Sequence, residues 1–391
     1  MNELLRDTLA EHADSAEPPA LDLDGIVAAG DRRISRRRAI AVLGGAVVTL
    51  AAIAGGVTVA RSIDRRPAPA TPAPFAERRA TYAIGSQIHY GKDVISVAPY
   101  RVSAFVQTDA GFVFLDDEND IYVAGTAGVR RIAPGRGTRR LTADSHGSLV
   151  GWVEDYTDRS ESVVYDVAAD RELVRTSIGN KRGPLLDAVM GPQLVAIDGD
   201  TAYFGTLTGI YRWDLKAGTA KLVADTLPNG VRGVSSGQYL YQRPLSHATS
   251  GTSLAVGPAP SDSGGRTFPG RQGYLSPTAD YLVAGPADNQ RAQPAAAVLA
   301  LYKVKTGAKL QLRHPDHSRL IFGQWLDDST FSAVGIRAGR NAPVDLLTCS
   351  AINLTCQVSA AAFSTFTFDP TPPRDLPFAV PLGAPITQYF G

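Results

Sequence analysis

The chain has 391 residues, a formal net charge of +1, and 20% charged against 8% aromatic residues. That length holds one large or two ordinary domains. No basic stripe interleaved with aromatics occurs in the C-terminal three hundred residues, so a nucleic-acid partner has no electrostatic footprint here.

Residues 1–38 form a short head. Glu3, Asp7, Glu11, Asp14, Glu17, Asp22, Asp24 and Asp31 face a single early cation, Arg6, before the Arg32–Arg38 cluster. The stretch ELLRDTLAEH places Leu5 and Leu9 on one face of a short helix. Such a piece cannot bury a core alone, so the head is expected to be largely disordered or to fold on a cytoplasmic regulator.

Residues 39–60 run for 22 positions without a charge. At roughly 1.5 Å of helical rise per residue, this segment can cross a hydrocarbon core of about 30 Å. Five arginines (Arg32, Arg33, Arg36, Arg37, Arg38) precede it and three (Arg61, Arg65, Arg66) follow at once. The bias keeps the head in the cytoplasm and sends the tail outside. A cleaved export signal is the alternative, because SRRRAIAV (35–42) resembles a twin-arginine motif. An ordinary signal core is shorter, about 7–15 residues. No cysteine lies near the span, which excludes lipoprotein acylation. Residues 61–79 form a linker, whose alternating prolines favour a stiff polyproline II spacer.

From residue 80 to 391 the pattern is short alternating strands broken by Gly, Asp, Asn and Pro turns. The segments 162–176, 209–223, 297–312 and 344–358 share one design: strand, turn, strand. Their equivalent anchors are Asp166, Asp214, Lys303 and Ser350. Tyr122 lies 44 residues before Asp166, and Asp166 lies 48 before Asp214. The gap from Asp214 to Lys303 holds one more unit, centred near Val256. Six units of this period predict an all-β fold, a β-propeller of six blades. Strands near Tyr82–Val97 and Ile386–Phe390 fall outside the six. They either close a terminal blade by joining the chain ends or make a seventh. A β-sandwich competes, but its strands would not recur at this spacing.

Trp213-Asp214 is the dipeptide that ends the third strand of a WD repeat, and the tail resembles WD-repeat and Tol-type extracytoplasmic propellers over roughly residues 80–365. Glu3–Glu11 and Arg32–Arg38 are similar to the heads of actinobacterial membrane proteins. That resemblance implies a link to regulation of extracytoplasmic-function sigma factors.

Cys349 and Cys356 match Tyr165/Glu172 and Trp213/Ala220, so they are expected to face each other across a hairpin and form a disulfide. An oxidising exterior suits such a pair. Other motifs carry less. Gly233-Val234-Ser235-Ser236-Gly237 matches a nucleophile elbow, but a strand follows where that chemistry needs a helix. His314, Asp316 and His317 offer metal-ligand types in a loop without a fourth group. Asp116-Asp117-Glu118-Asn119-Asp120 lacks the glycine turn and distal glutamate of a calcium loop. Trp152, Trp213 and Trp325 read as strand residues in the core. No catalytic residue, metal or cofactor is assigned.

The loops 116–120, 154–162, 243–251, 285–296 and 336–343 join second to third strands and gather at one mouth. Asp155, Tyr156, Asp158, His247, Asn289, Arg291, Arg337 and Arg340 are the candidate binding residues there. The expected function is recognition of an extracytoplasmic protein or small ligand. The alternatives are a propeller enzyme, hydrolase or lyase, and a scaffold for an envelope complex.

Overall fold

The computed structural model describes residues 73–138, 140–156, 159–177, 193–206, 209–224, 230–242, 253–260, 264–270, 272–285, 299–339, 341–367 and 376–385. The head, the apolar run 39–60 and most of the linker lie outside them. Among the described residues no helix is long and apolar enough to cross a membrane.

The described part is a seven-bladed β-propeller of antiparallel meanders. Blade 1 comprises β4 (Ala104–Thr108), β5 (Gly111–Leu115), β6 (Ile121–Gly125) and β7 (Gly128–Ala133). Blade 2 comprises β8 (Leu141–Ala143), β9 (Leu149–Asp155), β10 (Ser160–Asp166) and β11 (Arg171–Thr176). Blade 3 comprises β12 (Gln193–Asp198), β13 (Thr201–Thr206), β14 (Gly209–Asp214) and β15 (Thr219–Ala224). Blade 4 comprises β16 (Val231–Ser235), β17 (Gln238–Gln242), β18 (Ser253–Gly257) and β19 (Arg266–Pro269). Blade 5 comprises β20 (Gly273–Leu275), β21 (Tyr281–Ala284), β22 (Ala300–Lys303) and β23 (Lys309–Leu310). Blade 6 comprises β24 (Arg319–Trp325), β25 (Thr330–Ile336), β26 (Asn341–Ser350) and β27 (Thr355–Thr367). Blade 7 contributes only β1 (Thr81–Ile84), β2 (Gln87–Tyr90) and β3 (Asp93–Ser96) from the N-terminal side.

Every repeat anchor falls on a third strand: Tyr122 in β6, Asp166 in β10, Asp214 in β14, Val256 in β18, Lys303 in β22 and Ser350 in β26. The count of six is corrected to seven. The missed blade is split between the chain ends, so its period is not continuous in sequence. Ala83 and Ala379 exchange both backbone bonds, N–H to O 2.9 Å each way. The C-terminal segment thereby supplies the inner edge of blade 7. The closing contact lies at Ala379; Ile386–Phe390 are outside the described residues.

The segment then continues across two more blades. Gly383 donates to the Phe105 carbonyl at 2.9 Å and accepts from the Leu141 N–H at 2.6 Å. Gly383 adopts φ +72°, and a Cβ there would lie 1.9 Å from the Leu141 carbonyl oxygen. Glycine alone fits both the left-handed backbone and that approach.

A lone four-stranded sheet cannot bury both faces, and stacking blades side by side does. The core is divided accordingly into slabs between neighbouring blades. Phe105, Phe112 and Phe114 pack with Ile88 and Tyr90 between blades 7 and 1. Val113, Leu141 and Trp152 pack between blades 1 and 2, and Val164, Leu194 and Phe204 between 2 and 3. Tyr203 and Tyr239 join blades 3 and 4, and Leu254 and Leu282 join 4 and 5. One larger cluster spans blades 5, 6 and 7 through Leu301, Phe331 and Phe378. The ring is therefore packed all the way round.

A meander places first–second and third–fourth turns on one face of the ring, and second–third loops on the other. On the first face, three aspartates clasp the next blade. Asp109 accepts from Gly147 N–H at 3.0 Å, Asp198 accepts from Gly237 N–H at 3.2 Å, and Asp144 accepts from Gly199 N–H.

Cys349 and Cys356 are directly paired in register, as are Tyr165 with Glu172 and Trp213 with Ala220. The cysteines form a buried disulfide with Cα atoms 3.9 Å apart.

Replacing Gly383 by alanine is expected to lower stability by at least 1–3 kcal/mol, about what a strained backbone position costs before the steric clash is added. A thermal melt of the variant beside the wild type checks this; an unchanged midpoint would contradict the closing contact.

Candidate functional site

The first strands of the blades surround a central channel with a cavity of about 230 Å³. Val106, Leu141, Ile197, Val234, Leu275 and Phe322 give its wall contributions from blades 1 to 6 in turn, and Leu382 of the closing segment completes the circle. Gln107, Thr142, Ser145, Ser235 and Gln324 also line it, so its walls are mixed, apolar and polar.

The polar groups are segregated along the axis. Arg140 precedes β8 and Arg232 starts β16, on the side of the second–third loops. Asp144 follows β8 and Asp198 ends β12, on the clasp side. Asp144 lies four positions after Arg140, about 13 Å of extended strand.

The clasp end is closed in part by residues 75–79, the end of the expected linker. Phe75 is buried against Tyr90 and Phe112. Gln107 Nε2 donates to the carbonyls of Phe75 and Glu77 at 2.9 Å, and Gln324 Nε2 donates to that of Arg79 at 3.0 Å. Arg78 is carried inside, its side chain 4% exposed. Nη1 donates to the Phe75 carbonyl and stands 2.8 Å from Asp109 Oδ1, an ion pair rather than an aligned hydrogen bond. Nη2 has no hydrogen-bond partner among the described residues. Burial lowers the Arg78 pKa, opposed by Asp109 and Asp144.

Asp144 is buried, and burial pushes its carboxyl up to about 6 against the pull of N–H donors from His146 and Gly199. Keeping it ionised at neutral pH costs about 3 kcal/mol, from a rise of about 2 above 3.8. Part of that expense is returned by the buried Arg78 charge, which Asp144 helps to offset.

The sequence-derived mouth residues sit elsewhere. Asp155 accepts from Ser160 Oγ at 2.6 Å, and its N–H donates to the Arg136 carbonyl. The Tyr156 ring lies between Arg136 and Arg159, 5.0 and 4.8 Å from the guanidinium carbons, and its hydroxyl donates to Glu154 at 2.8 Å. Glu154 is buried, yet its carboxyl is lowered: burial raises it, and Arg175, Trp152 and Tyr156 together overcome that. Arg337 lies on the fully buried Asp345 carboxylate, Nη2 to Oδ2 2.9 Å. All three described candidates are thus held by internal partners. Asp158, His247, Asn289, Arg291 and Arg340 lie outside the described residues.

The weaker motifs resolve into structure. Ser235 ends β16, a strand–turn–strand, and donates to the carbonyls of Ser276 and Pro277. His317 has both ring nitrogens occupied, Nε2 by Asp345 at 2.8 Å and Nδ1 by the Pro315 carbonyl at 3.0 Å. Asp116 accepts from the N–H groups of Glu118 and Asp120, an Asx-type turn. Among the described residues no group of three metal-ligating side chains converges.

Sequence reasoning missed Arg78, Arg140, Asp144, Asp198 and Arg232. The one available signal was the recurrence of Asp shortly before Gly after a first strand, in DAG, DSHG and DG (109–111, 144–147, 198–199).

No protein-family model matches the chain, and no curated protein is similar to it. Solved structures do resemble it. One is from a crystal structure of the Mitotic Checkpoint Complex (TM-score 0.44, 12% identity, covering 75% of this chain and 87% of that one). Another is TolB from Acinetobacter baumannii (0.39, 13%, 78% and 66%). A third is oligogalacturonate lyase from Vibrio parahaemolyticus (0.42, 8%, 72% and 92%). These likenesses concern the fold; the seven blades rest on the strand pairing above.

Asp144→Asn is expected to stabilise the protein at pH 8 by up to about 3 kcal/mol. A carboxyl raised in the folded state favours folding below its unfolded value of 3.8 and loses that contribution as pH rises through about 6. The gain should therefore shrink between pH 6 and 4, read by denaturant melts at each pH. A gain independent of pH would refute the assignment.

Proposed function

We propose that this chain is a single-pass membrane protein whose propeller recognises a ligand outside the cytoplasm without transforming it. The observation carrying this reading is the axial channel, which carries Arg140 and Arg232 toward one end and Asp144 and Asp198 toward the other. The uncharged run 39–60, its arginine-rich N-terminal flank and the paired cysteines support the placement. Residues 75–79 join the ring on the clasp face, opposite the ends of the second strands. The acidic head is left to a cytoplasmic regulator.

A second reading, a propeller enzyme, is favoured by one observation. A carboxyl brought to about 6 in a cavity is suited to general acid or base work. Asp198 stands at the same end as a second carboxylate, but both aspartates are engaged by the backbone N–H groups of the clasp, which is why recognition is preferred.

Two measurements test the proposal. Protease added to intact cells should degrade the C-terminal portion, and protease added to inverted vesicles should spare it. Screening the full chain against glycans, peptides and esters should reveal capture without turnover. Turnover abolished by Asp144→Asn would replace recognition with catalysis, and a tail protected in intact cells would overturn the placement.

A further inference from the structure

Residues 75–79 cross the clasp end as a strap, and what holds them differs from what holds the blades. The carbonyls of Phe75, Glu77 and Arg79, alternate residues of the segment, meet side-chain donors where a strand would meet a neighbouring backbone. Gln107 Nε2 donates to the first two at 2.9 Å each, and Gln324 Nε2 donates to the third at 3.0 Å. Gln324 Nε2 also donates to Gln107 Oε1 at 3.2 Å, so the two amides, from blades 1 and 6, form one latch. The Tyr90 hydroxyl adds a bond to the Glu77 carbonyl at 2.5 Å. Among the described residues, the one backbone bond from strap to ring runs from Phe75 N–H to the Asp109 carbonyl at 3.2 Å. Apolar anchorage is confined to Phe75, while the side chains of Glu77 and Arg79 are 68% and 38% exposed.

The docked strap also carries a cost. Arg78 is charged and buried, and its Nη2 has no hydrogen-bond partner among the described residues. A buried donor without an acceptor is destabilising, and that penalty ends when the group reaches water. Asp109 offsets the charge from 2.8 Å but leaves the nitrogen unmatched. A segment with one apolar anchor, held by side chains and burdened by such a group, opens at lower free energy than the sheets beneath it. Ring closure at Ala83 and Ala379 lies beyond the strap and does not depend on it.

We infer that residues 75–79 are a releasable strap: they detach from the ring as a unit and clear the clasp end of the channel while the seven blades stay closed. Arg78, Gln107 and Gln324 all line the channel, so the latch that holds the strap is part of the channel wall. The strap also follows directly on the proline-rich linker, and a load on that linker reaches it before β1. This inference concerns access to the channel and rests on the recognition reading for its use, but its test needs no ligand.

The test is hydrogen exchange by mass spectrometry on the full chain in detergent. Brief trypsin treatment gives a second readout, since the bond after Arg78 is sheltered while that side chain is buried. In the wild type, the amides of residues 75–79 are expected to exchange at least about tenfold faster than those of β5. Gln107→Glu keeps the side-chain shape, removes both N–H donors and sets an anionic oxygen against the two carbonyls. It should speed strap exchange and cutting after Arg78 by about tenfold, with β5 exchange unchanged. Phe75→Ala, a change within the strap itself, should do the same, and it decides the matter where Gln107→Glu disturbs folding. A strap that exchanges only together with β5 overturns the inference. So does strap exchange that neither substitution alters, or β5 exchange that rises in step with it. Ligand capture is read separately, so none of these results bears on the recognition reading.

Discussion

Two hydrogen bonds between Ala83 and Ala379 turn a row of sheets into a ring. Six blades packed in sequence would leave apolar faces on blade 1 and blade 6 exposed to water. Blade 7 covers both, and it exists only because a segment almost three hundred residues away completes its inner edge. The same segment runs on to Phe105 and Leu141, so blades 7, 1 and 2 are stitched by one stretch of backbone. Pairing with Ala379 covers part of the inner edge of blade 7, which would otherwise be open to association.

The channel is a consequence of that closure. Arg78 is brought inside by residues 75–79, which Gln107 of blade 1 and Gln324 of blade 6 hold from opposite sides of the seam. Asp144 and Asp198 arrive on first–second turns, where they also clasp the following blade. Carboxylates that line the channel thus also tie neighbouring blades together.

Much of the fold was legible in the sequence because third and fourth strands carry their own punctuation. Asp166 and Asp214 accept from backbone N–H groups two and three residues on, which fixes the turn and makes the hairpin recognisable. The cysteine register followed from aligning those hairpins. The seventh blade was visible as an alternative but not decided, because its strands have four residues each, no anchoring aspartate, and a partner at the far end of the chain. The channel was hidden for a related reason. Its lining residues lie one or two per blade at the ends of first strands, and only the ring brings them together. Loops such as 154–162 stood out by composition, but Tyr156 and Asp155 are spent on internal packing.

The most direct measurement is a chain ended after residue 375, compared with the full chain by thermal and denaturant unfolding. Loss of residues 376–391 should lower the midpoint and broaden the transition, because blade 7 loses its inner edge and blades 1 and 2 lose their tie. A truncated chain that unfolds at the same midpoint, with the same cooperativity, would contradict closure by the C-terminal segment.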